Sequence, residues 1–371
     1  MTTMRDVAVL AGVSAKTVSR VFNDDPHVLP GTRARVTDAL RELGYVPNSL
    51  AQSFRTGRPP MLGVAVPDLA DPFFAVLAKA VEEVAAGVDM AVLVSSIGYD
   101  PRCEPGALES LLGRSLSGLV LAPTSQDHGH LAPWASRLPV VFVDRPPRNL
   151  AADAFTGDDR EGGRIATGHL LARGHRDIAF VGDSPAMTTT AERLAGHRAA
   201  LADAGLRPAD ELVAFGAVDL ESAERVVARL RSAARPPTAL ITGDARTTMT
   251  LVPALAGSSW ALVGFGDFPM AHMLSPALTV VDQDPAALGR LAAERVVARI
   301  GAPERRFRRH TVRPVRLVER RSCWSPADAA ILFPASCPRP GTGDPPAGER
   351  GSAGGHPLPD TPPSLAEEPP P

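Results

Sequence analysis

The sequence predicts a small all-α headpiece followed by an α/β core built of two doubly wound parallel-sheet lobes. Three observations predict it. Residues 1–60 hold short amphipathic helices, with a glycine turn between the first two. From Met61 onward short apolar runs alternate with amphipathic helices, the pattern of buried parallel strands joined by right-handed crossovers. That alternation occurs as two sets in a chain of 371 residues, which is more than one domain's usual length.

The headpiece opens with two short helices between Met4 and Asn23. Thr3 caps the first, and Asp6 three residues on favours its positive end. Val7, Ala8, Leu10 and Ala11 give it an apolar face. Gly12 permits the turn and Ser14 caps the second helix. There Val18, Val21 and Phe22 fall at i, i+3, i+4 and point inward, while Ala15, Lys16, Ser19 and Arg20 share the opposite face. This is the layout of a helix-turn-helix, whose second helix lies in the major groove of DNA and presents its N-terminal residues to base edges. Thr3, Ser14, Ala15, Lys16, Thr17, Ser19, Arg20 and Asn23 are the candidate contacts. Arg20 suits either a guanine edge or a phosphate.

Thr32 to Leu43 reads as a third helix, with Val36, Leu40 and Leu43 on one face and Gly44 as its stop. Asn48 then caps a short helix in which Leu50, Ala51 and Phe54 share one side. A helix this short is marginal alone in water. It needs a partner, and DNA together with its symmetry mate would serve. Asn48, Ala51, Gln52 and Phe54 join the candidate DNA contacts. Packing of Phe54 on Leu50 is the plain reading of that residue.

Charge agrees with this division. The chain's net charge is −2, yet residues 1–60 carry eight Lys and Arg against five Asp and Glu, an excess where phosphates would be met. Cys103, Cys323 and Cys337 lie far apart, against a disulfide framework or a zinc site. An apolar leader and a bilayer-length apolar run are both missing, which points to the cytoplasm, with nucleoid association through DNA.

In the core, strands are expected at Met61–Val66, Met90–Val94, Gly118–Ala122 and Pro139–Val143, with helices at Pro72–Ala86 and Pro105–Arg114. The second set runs through helix Gly162–Arg173, strand Ile178–Val181 and helices Thr188–Ala204 and Leu220–Arg231. Strand Thr238–Ile241, helix Ala245–Leu255 and strand Leu262–Phe265 complete it. The organisation is therefore 1–46 headpiece, 47–60 hinge and linker, 61–323 two-lobe core, and 324–371 a Pro/Gly-rich tail expected to be disordered.

Arg5-Asp6-Val7-Ala8, Gly12-Val13-Ser14, Thr17-Val18-Ser19-Arg20, Thr32-Arg33, Leu43-Gly44-Tyr45, Pro47-Asn48 and Ala51-Gln52-Ser53 together resemble the LacI/GalR family of bacterial transcriptional regulators. The resemblance runs from about Met4 to Cys323. It implies a homodimer on a palindromic double-stranded DNA operator, and periplasmic-binding-protein-like lobes that hold a small-molecule effector, carbohydrate above all. It also implies three crossings between lobes, near Ala154–Gly157, Val281–Gln283 and His310–Val312, so that helix Pro285–Ile300 returns to the first lobe. Phe54 stands where the family commonly has leucine, a residue that wedges into the operator's centre.

Ligands of open α/β sheets bind beyond the carboxyl ends of the strands. Those ends supply Asp68, Asp71, Phe73, Phe74, Asp144, Arg145, Arg193, Asp244 and Gln283 as candidate effector contacts. Carboxylates and an arginine fork suit hydroxyl-rich or anionic molecules, and phenylalanine offers a stacking face. By resemblance, Arg193, Asp244 and Asp144 match effector-contacting positions. The plainer reading makes Asp144-Arg145 a local ion pair and at least one phenylalanine core. The family usually carries two aspartates after its Val-Gly-Phe strand. Here Gly264-Phe265-Gly266-Asp267 removes the first, and the stretch from Asp244 to Trp260 is short.

Other chemistry is weakly signalled. Gly264-x-Gly266 is no dinucleotide fingerprint, and Gly182-Asp183-Ser184-Pro185-Ala186 lacks the last glycine of a nucleophile elbow. His128-Gly129-His130 reads as a solvated loop, and Asp158-Asp159 with Glu161 as helix N-terminal capping. No cofactor, metal or catalytic constellation is called for. The alternatives are a small-molecule-binding protein without productive DNA binding and a sugar-acting enzyme on the same scaffold.

Overall fold

The computed structural model describes residues 3–22, 25–44 and 61–325. The expected hinge, with Asn48, Ala51, Gln52 and Phe54, lies outside these residues, as do Asn23 and the tail from 326.

Three helices form the headpiece: α1 (Met4–Ala11), α2 (Ala15–Phe22) and α3 (Pro30–Glu42). Thr3 and Asp6 make a reciprocal capping box on α1, and Gly12 closes it at φ +63°, a left-handed conformation that glycine adopts without strain. The Thr17 N–H donates to Ser14 Oγ at 3.1 Å and so caps α2. Val7, Ala8, Ala11, Val18, Val21, Val36 and Ala39 are the buried core, with Leu40 and Leu43 packed at its edge. Leu10 does not join it and is 44% exposed. It lies about 100° round the helix from the centre of the Val7-Ala8-Ala11 face, too far to reach α3.

In the first lobe β1 (Met61–Val66), β2 (Ala91–Ser96), β3 (Gly118–Leu121), β4 (Val140–Val143), β5 (Asp153–Gly157) and β11 (His310–Arg313) form one sheet, ordered β11-β5-β4-β3-β1-β2. Every pairing in it is parallel. Helices α4 (Pro72–Ala86), α5 (Glu104–Leu112) and α6 (Ala132–Ala135) connect the strands. The second sheet, ordered β12-β10-β9-β8-β6-β7, holds β6 (Ile178–Gly182), β7 (Val213–Phe215), β8 (Ala239–Thr242), β9 (Ala261–Phe265), β10 (Thr279–Asp282) and β12 (Arg316–Val318). Helices α7 (Asp159–Ala172), α8 (Thr188–Asp203), α9 (Leu220–Arg231) and α10 (Ala245–Ala254) flank it. The last helix, α11 (Pro285–Gly301), packs Leu288, Ala292, Ala293 and Val296 against Phe74 and Leu77 of the first lobe.

The structure departs from the all-parallel expectation at β12, which pairs antiparallel with β10. The chain enters the second sheet at its carboxyl end, straight from β11, so it can only run against the other strands. The segments expected as crossings are themselves the strands β5, β10 and β11. Each crossing follows the strand, after Gly157, Asp282 and Arg313.

One close approach sets the geometry of the second lobe. A Cβ at Gly163 would lie 2.0 Å from the Arg193 carbonyl oxygen, and one at Gly196 would lie 1.9 Å from that of Arg160. Helices α7 and α8 therefore cross backbone to backbone, which fixes where Arg193 projects. Among the described residues no helix is long and apolar enough to cross a membrane.

Candidate functional site

Two sites follow from this frame. The first is the exposed face of α2. Ser14, Ala15, Lys16 and Arg20 are exposed there, Thr17 and Ser19 are half-exposed, and Val18 and Val21 are buried beneath. Several of these groups already have internal duties. Thr3 Oγ1 serves the α1 cap, and Ser14 Oγ meets Thr17 Oγ1 at 2.9 Å. Arg20 Nε donates to Asp25 Oδ2 at 2.7 Å. The Arg20 pair holds Asp25 below the usual carboxylate range. Lys16 alone among the candidate cations of α2 makes no ion pair among the described residues.

The second site lies between the lobes, beyond the carboxyl ends of both sheets. A cavity of about 30 Å³ is lined there by Asp71, Phe73, Phe74, Asp144, Arg145, Arg193, Asp244 and Gln283, eight of the nine expected effector residues. Asp68 is not among them. Its Oδ1 accepts from the Ala70 N–H at 2.9 Å and closes its own turn. Tyr99, Asp183, Thr189, Thr190, Ala245, Arg246 and Gly266 complete the lining. Sequence reasoning missed these. Asp183, Thr189 and Thr190 follow β6 and carried the same strand-end signal as Asp244.

Asp71 caps α4 by accepting from the Phe73 N–H at 2.9 Å, and Phe73 and Phe74 in its first turn are both buried, edge to face at 5.1 Å. Burial pushes the Asp71 carboxyl up to about 6, and the Asp244 and Asp144 charges add to the rise against the Phe73 hydrogen bond. Asp244 caps α10 through the Thr247 N–H at 2.7 Å and Thr247 Oγ1 at 2.6 Å. Withdrawal from water raises its pKa too, helped by Asp183. Asp144 adopts φ +67° directly after β4, and its Oδ2 lies 3.3 Å from Arg145 Nη2. Arg145 Nη1 donates to the Pro123 carbonyl at 2.6 Å.

Arg193 has the densest set of partners. Its Nε donates to Asp159 Oδ1 at 2.8 Å and its Nη1 to the Gly243 carbonyl at 2.5 Å. The guanidinium also lies 4.1 Å from the centre of the Phe265 ring. Burial works against its charge, but Asp159 and Asp144 outweigh burial and keep it protonated. Asp159 corrects the sequence reading of this turn. Asp158 is the cap, accepting from the Glu161 N–H at 3.0 Å, whereas Asp159 is buried as the partner of Arg193. Gln283 is buried in the lining, and its Nε2 has no hydrogen-bond partner among the described residues.

Asp267, the acidic residue after β9, turns away from this cavity. It forms an ion pair with Arg320 at 2.7 Å. Gly266, in the position of the missing first aspartate, takes φ +80° and faces the Ala245 methyl. His128 also corrects an expectation. It is 1% exposed, accepts from the Arg148 N–H at 2.9 Å and lies 3.9 Å from buried Glu104. Burial pushes its pKa down. No cluster of metal-ligating side chains occurs among the described residues.

Comparison with known proteins covers both the headpiece and the lobes. Residues 3–48 match the model of bacterial regulatory proteins, lacI family, and residues 167–323 match the periplasmic binding protein-like domain. The HTH-type transcriptional regulator GalR of Salmonella typhimurium is 31% identical over 339 residues, covering 90% of this chain and 99% of that one. The ribose operon repressor of Escherichia coli K12 is 30% identical over 330 residues, covering 87% and 100%. Among solved structures, the Lac repressor bound to ONPG in its repressed state matches with a TM-score of 0.75 at 26% identity, over 86% of this chain and 99% of that one. A CelR–cellobiose complex matches at 0.61 and 28%, over 87% and 100%. A capped recognition helix, two α/β lobes crossed three times and similarity along nearly the whole of these regulators lead to one conclusion: the chain belongs to the LacI family of bacterial regulatory proteins.

Proposed function

We propose that this protein represses transcription by gripping a palindromic operator as a homodimer, and that a neutral polyhydroxylated molecule, a sugar or a close relative, sets that grip from the cleft. Its place of action is the cytoplasm, on DNA. The observation that carries the effector reading is the charge of the cleft. Asp71, Asp144, Asp183 and Asp244 line it alongside Arg145, Arg193 and Arg246, and Arg193 is already matched by Asp159. Carboxylates accept hydrogen bonds from hydroxyls, the unpartnered Gln283 amide can donate to one, and Phe73 and Phe74 offer a sugar ring an apolar face. An anionic ligand would meet surplus negative charge. GalR, the ribose repressor and the cellobiose complex carry sugar names that fit this chemistry. The acids here cap helices or pair with arginines, which suits binding and supplies no nucleophile with a neighbouring base.

The test is fluorescence anisotropy with DNA from upstream of the protein's own gene, titrated with sugars, nucleosides and their phosphate esters. A neutral sugar or nucleoside should change operator affinity while its phosphate ester does not. Absence of sequence-selective DNA binding would defeat the regulatory reading. A response confined to phosphorylated compounds would defeat the effector reading.

A further inference from the structure

We infer that the first lobe carries a second, sequence-independent DNA contact, an arginine surface around Phe307 that binds backbone phosphates flanking the operator. This rests on the DNA-binding reading above and adds a surface outside the headpiece.

The surface is built at the end of α11 and in the loop to β11. Between Glu294 and Arg309 the chain carries six arginines against two acids, Glu294 and Glu304, and Asp153 is paired with Arg295 and Arg299. Phe307 is the post. The guanidinium carbons of Arg295, Arg299 and Arg305 lie 4.3, 4.9 and 5.0 Å from its ring centre. Arg299 holds Asp153 through Nε and Nη2 at 2.9 and 3.0 Å, and Arg295 reaches the same carboxylate at 3.2 Å. Arg295 Nη1 also donates to the Arg308 carbonyl at 3.1 Å, and Arg299 Nη1 to that of Arg305 at 3.3 Å. The inner arginines thus fasten the loop. Arg306, Arg308 and Arg309 are left exposed, with no ion pair among the described residues. Beside them opens a cavity of about 570 Å³, on whose rim stand Arg137, Arg299 and Arg309.

Placement selects the ligand. Strands β1, β3, β4, β5 and β11 are mutually parallel, so their first residues lie at one end of the sheet. The arginine loop runs directly into His310, the first residue of β11, and is therefore at that end. Met61, where the chain arrives from the headpiece, is at the same end. The effector cleft is at the other. The connecting residues 45–60 can span at most roughly 55 Å when fully extended, which keeps this end of the lobe within reach of the duplex read by α2. Uncompensated like charge is unfavourable unless anions neutralise it. Exposed guanidinium forks suit phosphate oxygens, and the loop that carries them is already fastened by Arg295 and Arg299 at the Arg308 and Arg305 carbonyls, which lowers the cost of ordering it. Arg306, Arg308 and Arg309 succeed one another along an open loop instead of converging on one point. A row of backbone phosphates fits that layout better than a single small anion.

The experiment uses the full chain and a duplex that it selects from a random-sequence pool. One version ends at the selected site. The other extends about 15 base pairs beyond on each side, more than a helical turn. Affinity is measured from 50 to 200 mM KCl for wild type, for the triple variant Arg306→Gln/Arg308→Gln/Arg309→Gln, and for the corresponding triple lysine variant. Wild type should bind the long duplex more tightly and with a steeper salt dependence than the short one. The glutamine variant should lose that difference. Its slope on the long duplex should drop by about 1 per phosphate contact removed, to a limit of roughly 5 for a dimer, with affinity at low salt down about tenfold or more. The lysine variant should retain most of the slope. Equal slopes and affinities for wild type and the glutamine variant on the long duplex would overturn the inference, including the case in which the variant instead loses binding to a phosphoserine peptide. A wild type that selects no sequence at all would point to failure of the underlying DNA-binding reading instead.

Discussion

The Arg246 guanidinium lies 3.8 Å from the centre of the Tyr99 ring and so joins the second lobe to the first across the cleft. Arg246 stands in the first turn of α10, next to the capping residue Asp244. Tyr99 follows β2, and its hydroxyl donates to Asp71 Oδ2 at 3.4 Å. A second tie runs from Gln126 Nε2 to the Ala186 carbonyl at 2.7 Å. The cleft proposed for the effector is therefore also a place where the lobes grip each other. A ligand that contacts both sides shifts the relation between lobes by its differential affinity for the two arrangements.

Loosening that grip should open the cleft. Arg246→Ala or Tyr99→Ala removes a half-buried cation–π contact worth about 1–2 kcal/mol. Effector affinity should fall roughly 5- to 30-fold, and the radius of gyration in small-angle scattering should rise without ligand. Unchanged scattering and unchanged affinity in both variants would show that the stack does not hold the lobes.

Arg193→Ala should unfold the second lobe more readily, because it leaves Asp159 buried without its partner, at a cost of about 3–5 kcal/mol. Loss of effector response in that variant is thus ambiguous alone. Arg193→Met with Asp159→Leu should regain most of the stability in urea melts and still fail to respond to the effector. A double variant that responds normally would remove Arg193 from the effector site.

Gly163→Ala and Gly196→Ala should each destabilise the second lobe by roughly 1–3 kcal/mol or more, since each added methyl meets a carbonyl oxygen of the facing helix. Gly168→Ala, on the helix of Gly163 with no atom near its added methyl, is the control and should be neutral or slightly stabilising. Equal urea midpoints for all three would mean that the helices can move apart freely.

Two buried groups should give opposite pH dependences. The Asp71 pKa is raised to about 6, so between roughly pH 4 and 6 the native state binds a proton that the unfolded chain has released. Stability from this group falls as pH rises through that window. His197 hydrogen-bonds Thr167 at 2.9 Å and is pushed down to about 4 by burial and by Arg198. Below about pH 6.5 the unfolded chain binds the proton that the native state refuses, so its contribution is lost as pH falls toward 4. Each amounts to at most about 3 kcal/mol. Urea melts from pH 4 to 7 should show Asp71→Asn losing stability relative to wild type toward acid and His197→Gln gaining it. A difference that does not vary with pH for either variant would contradict its assigned shift.

At the DNA face, Lys16→Ala should lower specific affinity by roughly 1–3 kcal/mol if the amine reaches a base edge. Arg20 is bound to Asp25 at 2.7 Å and should behave differently. Arg20→Ala should cost similar affinity on selected and random duplexes, and Asp25→Asn should tighten both. A loss for Arg20→Ala confined to the selected sequence would return Arg20 to base reading.

The longer helices and the strands β1 to β4, β6, β8 and β9 were legible because burial leaves a local record. The i, i+3, i+4 spacing of Val18 and Val21 marks the inner side of α2, and the run from Met61 to Val66 marks a strand covered on both faces. The edge strands β7 and β12, with three residues each, carry too short a pattern to read. The helix caps at Thr3 and Ser14 concern chemistry within a few residues, and strand ends alone brought most of the cleft residues together. The same signal could not separate Asp68, which serves its own turn, from Asp71, which reaches the cavity.

What the sequence determined by itself is the longer helices and seven of the twelve strands among the described residues, the headpiece with its capped second helix, and the end of the sheets at which the cleft residues gather. All of these depend on periodicity and on side chains acting on nearby backbone. The tertiary structure alone decided the pairings: Asp159 with Arg193, Asp25 with Arg20, Tyr99 with Arg246, and the arginines gathered on Phe307. Partners of this kind are chosen by which surfaces the crossovers bring within a few ångströms. No local pattern of residues encodes that approach. A charge that looks free along the chain can be bound in the fold, as in Arg20, and a run of arginines that looks ordinary can become an ordered surface.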